Sequence, residues 1–300
     1  RRFIVLIKGV LMEIYEAVAT LRKDKNIKIE EAIGNSMSRA SFNRYINGKT
    51  DLYTSHFLEL LEKLHVSLEE IEFMCNGYTD NVEKQLMKEL KHAFEDQNIH
   101  ELTFILQHCR NEYTIDKNVL HNHLASLTEI LLARLEHKNI DLKENELYKY
   151  LVKTETWTRY ELVMFNNSMF YFDAEALKQI LPKAINKLAY YKEINPYANE
   201  GFRLLINAII AFISKNEIHQ ALIYIRILEK HPLNEDQAYE ALLQKFLIGV
   251  KLILIDDSKG DEVVKDCIQA MQFLNMEKMA SMSTGLIEHI LENKQKNQPQ

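Results

Sequence analysis

Apolar residues recur at three- and four-residue spacing along almost the whole chain, and the breaks between these stretches are short and polar. That period marks amphipathic helices with one covered face. Ile14, Val18 and Leu21 predict a helix from Glu13 to about Lys25, broken at Asp24-Lys25-Asn26. Ile29 to Ile33 makes one short helix, ended by Gly34-Asn35, a C-terminal stop signal. Ser38 is a favourable N-cap for a helix running to Asn47, where Asn47-Gly48 stops it. A fourth helix runs from about Leu52 to Leu64, with Phe57, Leu60, Leu61 and Leu64 on one face. Ser67-Leu68-Glu69-Glu70 opens a fifth in capping-box order. These five helices predict one compact N-terminal domain, residues 1–75.

The pattern breaks around Asn76-Gly77-Tyr78-Thr79-Asp80, so residues 76–81 read as a linker. Beyond it, helices are expected at 82–95, 99–111, 116–137, 143–154, 156–171, 173–191, 198–214, 217–230, 235–255, 260–274 and 276–293. They pair naturally into hairpins. The clearest is Gly201-Phe202-Arg203-Leu204-Leu205-Ile206-Asn207-Ala208, the turn Lys215-Asn216-Glu217, then His219-Gln220-Ala221-Leu222-Ile223-Tyr224, ending near His231-Pro232. A small-residue helix, a polar turn, an Ala-Leu-x-Tyr helix and a closing Pro is a tetratricopeptide-like arrangement. Residues 82–293 therefore read as a helical-hairpin superhelix with a concave face suited to an extended peptide, the alternative being an irregular bundle without a groove. The polar end from Glu292, and residues 294–300 in particular, reads as a disordered tail. Residues 1–11 precede the first natural helix start at Met12 and read as an upstream extension or a native arm.

Composition supports an all-α chain. Only 8 Gly and 4 Pro occur in 300 residues, too few for a protein built on tight turns. Net charge is −6, but residues 1–50 hold ten Lys/Arg against five Asp/Glu, and the remainder 27 against 38. A basic head on an acidic chain is the footprint of a localised polyanion site. Cys75, Cys109 and Cys267 are odd in number and widely spaced, and read as reduced thiols in a cytoplasmic protein. No apolar run is long enough to span a bilayer, and no membrane partner is expected.

The stretch with chemistry is Ser38-Arg39-Ala40-Ser41-Phe42-Asn43-Arg44-Tyr45-Ile46-Asn47-Gly48-Lys49. Phe42, Tyr45 and Ile46 share the face that packs inward. Ser38, Arg39, Ser41, Asn43 and Arg44 are left outside, and such side chains suit duplex reading: Arg bonds guanine with two donors, Asn bonds adenine. Lys49, just past the helix, and Arg22, on the first helix, are candidate phosphate contacts. A solvated polar face is the plainer alternative.

Residues 12–74 resemble the helix-turn-helix of the Rgg/MutR group of Gram-positive regulators, within the lambda-repressor-like class. The likeness is carried by Leu21-Arg22-Lys23, by Ser38 to Tyr45, by Gly48-Lys49-Thr50-Asp51-Leu52, by Ser55-His56-Phe57-Leu58-Glu59-Leu60-Leu61 and by Ser67 to Ile71. Trp157-Thr158-Arg159-Tyr160-Glu161-Leu162-Val163-Met164-Phe165-Asn166-Asn167 resembles a stretch of the same group's C-terminal domain. The group usually has a phosphate-touching Gln at the start of the second helix; here Lys28-Ile29-Glu30 stands there, and Lys28 is the substitute contact. Some relatives join their DNA-binding domains by a disulfide, which does not carry over, since residues 1–74 hold no Cys. The resemblance implies a homodimeric regulator that binds double-stranded DNA and a short signalling peptide. It implies Asn207, Asn167 and Arg159 as peptide contacts; Asn207 sits among apolar residues, where an amide is costly unless satisfied.

Other constellations carry less. His121 and His123 point about 200° apart on a helix and cannot share a metal. Asp256 to Asp261 lacks the spacing of a calcium loop and reads as a turn. Met271, Met276, Met279 and Met282 read as packing. No phosphate loop, nucleophile elbow or metalloprotease motif occurs, so neither an enzyme nor a cofactor is expected. The leading expectation is a DNA-binding regulator; the alternative is a helical-repeat protein–protein scaffold without sequence-specific DNA binding.

Overall fold

The computed structural model describes residues 12–191 and 195–296. No strand occurs among the described residues, and every regular element is helical. The chain divides after Asn98 into two compact units. The expectations for residues 1–11 and for 297–300 lie outside the described residues.

The first unit contains α1 (Ile14–Asp24), α2 (Ile29–Ile33), α3 (Arg39–Ile46), α4 (Thr54–Leu64), α5 (Leu68–Cys75) and α6 (Val82–Glu95). Its core joins Ala17 and Val18 of α1, Ala32 and Ile33 of α2, Phe42 and Tyr45 of α3, the Leu60, Leu61 and Leu64 stripe of α4, and Ile71 and Met74 of α5. Each comes from an apolar stripe, and burying the Val, Ile, Leu, Phe and Met side chains among them is worth about 1.5–3 kcal/mol apiece. The ends are held locally. The Ser38 hydroxyl accepts from the Ser41 N–H at 3.1 Å. Ser67 and Glu70 cap α5 reciprocally. Lys25 closes α4, its ammonium donating to the Leu64 and His65 carbonyls at 2.8 and 3.0 Å. After α3 the chain turns at Gly48, with φ +66. A Cβ there would stand 2.8 Å from Tyr15 Cζ. Only glycine allows both that dihedral and that approach to α1.

The second unit is a run of helical hairpins: α7 (Ile99–Asp116), α8 (Val119–Leu135), α9 (Glu146–Lys153), α10 (Arg159–Ser168), α11 (Ala174–Tyr191), α12 (Asn195–Ser214), α13 (Ile218–Glu229), α14 (Ala238–Leu254), α15 (Lys259–Phe273) and α16 (Glu277–Lys296). Helices adjacent in sequence pair as α7 with α8, α12 with α13 and α14 with α15, while α10 and α11 both pack on α12. Short 3-10 turns at Leu142–Glu144 and Met169–Tyr171 lead into α9 and out of α10. The scarcity of glycine is met another way. Lys117, His137, Asn216, Asp256 and Asn275 take left-handed conformations at helix ends. For a side-chain-bearing residue this costs roughly 1–2 kcal/mol, accepted because the turn frees the next helix to fold back.

Three local expectations shift. The break expected near residue 112 falls at Lys117 and Asn118, because Asp116 and Asn118 supply the caps: Asp116 Oδ1 accepts from Asn118 N, and Asn118 Oδ1 from Leu120 N. The helix expected at 156–171 begins at Arg159, after the Thr158 N-cap, and gives way to the 3-10 turn at Met169. The polar end expected to be disordered from Glu292 continues α16 to Lys296, where Lys294 donates to the Ile253 carbonyl and to Asp256. Of the methionines, Met271 is buried and Met282 is exposed. Cys75, Cys109 and Cys267 form no disulfide among the described residues, and the last two are buried. No described helix is long and apolar enough to cross a membrane.

Candidate functional site

In the first unit, α3 is pinned by its own inner stripe. Phe42 is fully buried and Tyr45 nearly so, which leaves Arg39, Asn43 and Arg44 exposed. Burial pushes the Tyr45 hydroxyl up to about 12, with Cys75 and Asp51 adding to the shift, so it stays neutral. Arg39 pairs with Glu30 of α2 at 2.9 Å, both side chains largely exposed. Such a pair is weak in water and yields readily to a stronger partner. Ser41 is half-buried, and the Ser38 hydroxyl is used as the cap. Lys49, just past α3, and Lys28, the N-cap of α2, are exposed. Arg22 is different. It is half-buried and its guanidinium donates to the Ile27 carbonyl at 2.7 Å, so it braces the α1–α2 turn.

In the second unit, α10 and α12 lie side by side. Arg159 and Asn166 are seven residues apart, two helical turns, and so share a face of α10. Glu200 and Asn207 repeat that spacing on α12. The structure brings these four together. Asn166 Nδ2 lies 3.4 Å from both the Glu200 carbonyl and Glu200 Oε2. Asn207 Nδ2 lies 3.5 Å from the Asn166 carbonyl. Arg159 and Arg203 guanidinium nitrogens stand 3.7 and 3.9 Å from Glu200 Oε1. Asn167 is outside this group: it is exposed and its amide donates back to the Val163 carbonyl at 2.7 Å. Sequence reasoning took Asn167 and passed over Asn166 and Glu200. The two-turn spacing from Arg159 and from Asn207 was the available signal.

Behind α10 sits a second polar cluster. Glu161 is buried; it accepts from the Thr158 N–H at 2.7 Å and from the Tyr150 hydroxyl. Burial works to raise its carboxyl, but the Tyr150 and Thr158 hydrogen bonds win and hold it below the ordinary value. Burial of Tyr150, with its hydrogen bond to Glu161 and the charge there adding to the shift, pushes the Tyr150 hydroxyl up to about 12. His123 of α8 bonds Tyr160 through Nδ1 at 2.8 Å and stacks obliquely on Tyr150, ring centroids 4.3 Å apart. Burial outweighs the pull of Glu161 and Glu146 and lowers its imidazole below the ordinary value. His121 instead faces Asp116 at 3.1 Å. Trp157 closes the floor: fully buried, it donates to the Thr154 carbonyl and meets Phe165 edge-on at 5.3 Å. Among the described residues no group of three His, Cys, Asp or Glu side chains converges as a metal would need.

Comparison with known proteins follows the same division. Residues 103–284 match the family model of the C-terminal domain of the HTH-type transcriptional regulator Rgg. Three solved structures share the fold over nearly their whole lengths. A candidate transcriptional regulator from Listeria monocytogenes EGD-e superposes with a TM-score of 0.81 at 17% identity, covering 94% of this chain and 98% of that one. The SHP pheromone receptor Rgg2 of Streptococcus dysgalactiae gives 0.72 at 17% identity, over 94% and 100%. PrgX, in its complex with cCF10, gives 0.68 at 14% identity, over 93% and 92%. With a family model spanning more than half its length, the chain belongs to the Rgg family of HTH-type transcriptional regulators.

Proposed function

We propose that this regulator is a cytoplasmic homodimer that binds double-stranded DNA sequence-specifically through α3 and is controlled by a short peptide held against α10 and α12. The observation that carries the DNA half is the outward face of α3: a helix fixed by Phe42 and Tyr45 presents Arg39, Asn43 and Arg44 to solvent. An Arg reads guanine and an Asn reads adenine in the major groove. Lys49, just past α3, and Lys28, at the N-cap of α2, supply phosphate contacts that set the register of that face. Ser38 keeps the N-terminus of α3 in place, Ser41 sits beside it, and Arg22 acts by bracing the turn. The peptide half is supported by Arg159 and Asn207 on adjoining helices, Arg159 facing Glu200 and Asn207 facing the Asn166 carbonyl, with the exposed Asn167 as a further contact. It is also supported by likeness to a pheromone receptor and to a protein solved with cCF10. A ligand that prefers one dimer arrangement would change the spacing of the two α3 helices.

Gel-shift titration against DNA upstream of the protein's own gene tests the first half. Replacing Arg39 and Arg44 together by Ala should weaken specific binding by about 1–3 kcal/mol per lost base contact. Unchanged binding would remove α3 as the reading helix. Asn207→Ala should weaken peptide binding in calorimetry; a wild-type isotherm would take that residue out of the site.

A further inference from the structure

Glu200 is the least expected member of the α10–α12 cluster. Its side chain is 10% exposed, and a carboxylate so placed needs strong partners. Those visible are long. Arg159 and Arg203 stand at 3.7 and 3.9 Å, and Asn166 Nδ2 at 3.4 Å, against roughly 2.7–2.9 Å for charge-assisted hydrogen bonds to a carboxylate. Glu200 lies in the field of two guanidinium groups without being tightly grasped by either. Beside it, Asn166 is 8% exposed and its Oδ1 is buried with no hydrogen-bond partner among the described residues. An orphaned buried amide oxygen in a polar cluster awaits a donor. Asn207 Nδ2, at 3.5 Å from its acceptor, is a donor at the edge of its bond. One turn on from Arg159 and Asn207, the half-buried Val163 and Ile210 give the site apolar flanks.

We propose that Glu200 stands in for a ligand carboxylate, and that the ligand of this site is a short apolar peptide whose carboxylate displaces Glu200 from Arg159 and Arg203. The inference rests on the peptide reading above and adds the ligand's chemistry. The peptide's carboxylate meets both guanidinium groups, one of its N–H groups satisfies Asn166 Oδ1, and one of its carbonyls accepts from Asn207 Nδ2. Glu200, in the second turn of α12, turns out to water, where a carboxylate costs least to keep. The regulator would then carry its own competitor, which sets a threshold for ligand concentration.

The test uses three pools of N-acetylated octapeptides of Leu, Ile, Val, Phe and Gly, titrated into the full chain by calorimetry. One pool has a free C-terminal carboxylate, one is amidated, and one is amidated but carries a single Asp. A carboxylate-bearing pool should bind at least about tenfold tighter than the plain amide, and the one that leads identifies whether a terminus or a side chain supplies the charge. Glu200→Gln should tighten that pool further and leave the amide pool unchanged. Arg203→Gln, at an exposed position that folding tolerates, should erode the preference. Equal binding of all three pools overturns the carboxylate inference and leaves the peptide reading standing. Failure of every pool overturns both. Weaker or unchanged binding by Glu200→Gln, with an unaltered melting temperature, shows Glu200 to be a support for the arginines and ends its role as a stand-in.

Discussion

Single residues decide more here than their conservative chemistry suggests. Gly48 follows the proposed reading helix with φ +66 and lies against Tyr15. Gly48→Ala combines a strained dihedral with displacement of a ring, and should destabilise the first unit by about 1–3 kcal/mol, seen as an earlier thermal transition. No loss would mean that Tyr15 yields freely. His123 gives a pH prediction. Its folded pKa lies below the ordinary imidazole value, so the unfolded chain takes up the proton first. Its contribution is complete above the ordinary imidazole range and is lost as pH falls from there through the lowered folded value. Glu161, also lowered, acts in the same direction but further down, below the ordinary carboxylate value. Melting temperatures from pH 7.5 to 5.5 should fall more steeply in the wild type than in His123→Gln; parallel curves would exclude His123 as the titrating group. The same scale shows what sequence alone leaves out at Arg22 and Asn167. Charge makes Arg22 a candidate phosphate contact, and the fold adds a bracing bond from one of its guanidinium nitrogens to the Ile27 carbonyl. Asn167 is one residue, and so about 100°, off the face that Arg159 and Asn166 share.

At the scale of elements, nearly every helix was legible, because each writes its own apolar stripe and several write their caps. Ser38, Ser67 and Asn81 each accept from a backbone N–H of the first turn that follows. The misplaced break between α7 and α8 came from a cap read too weakly. Asn118→Ala should cost about 0.5–2 kcal/mol in the second unit, measurable by urea denaturation; a value near zero would mean that Asp116 alone holds the turn. The hairpin of α14 and α15 carries a sharper prediction. A Cβ at Gly260 would stand 2.6 Å from the Ile253 backbone nitrogen, and backbone cannot step aside as a side-chain tip can. Gly260→Ala should therefore destabilise the second unit despite alanine's better helix propensity; a gain in stability would show that the two helices part without cost.

For the whole molecule, charge distribution and pairing of distant helices matter most. The basic residues gather before residue 50, on a chain that is acidic beyond it. Binding to DNA should weaken linearly in log–log form with added salt, and Lys49→Ala should lower the slope by about one phosphate contact without changing which sequence is preferred. A changed preference would make Lys49 a base contact. The amino-acid sequence by itself determined that the chain is helical, where its helices lie, that a short helix and turn precede Ser38, and which side chains α3 turns outward. These follow from periodicity, caps and breakers within a few residues. Only the tertiary structure decided that Asn166 and not Asn167 faces Asn207, and that Glu200 sits between Arg159 and Arg203. Asn166 and Glu200 are 34 residues apart. Which polar group on a helix meets another at that separation is set by how α10 and α12 pack, and no local pattern records it.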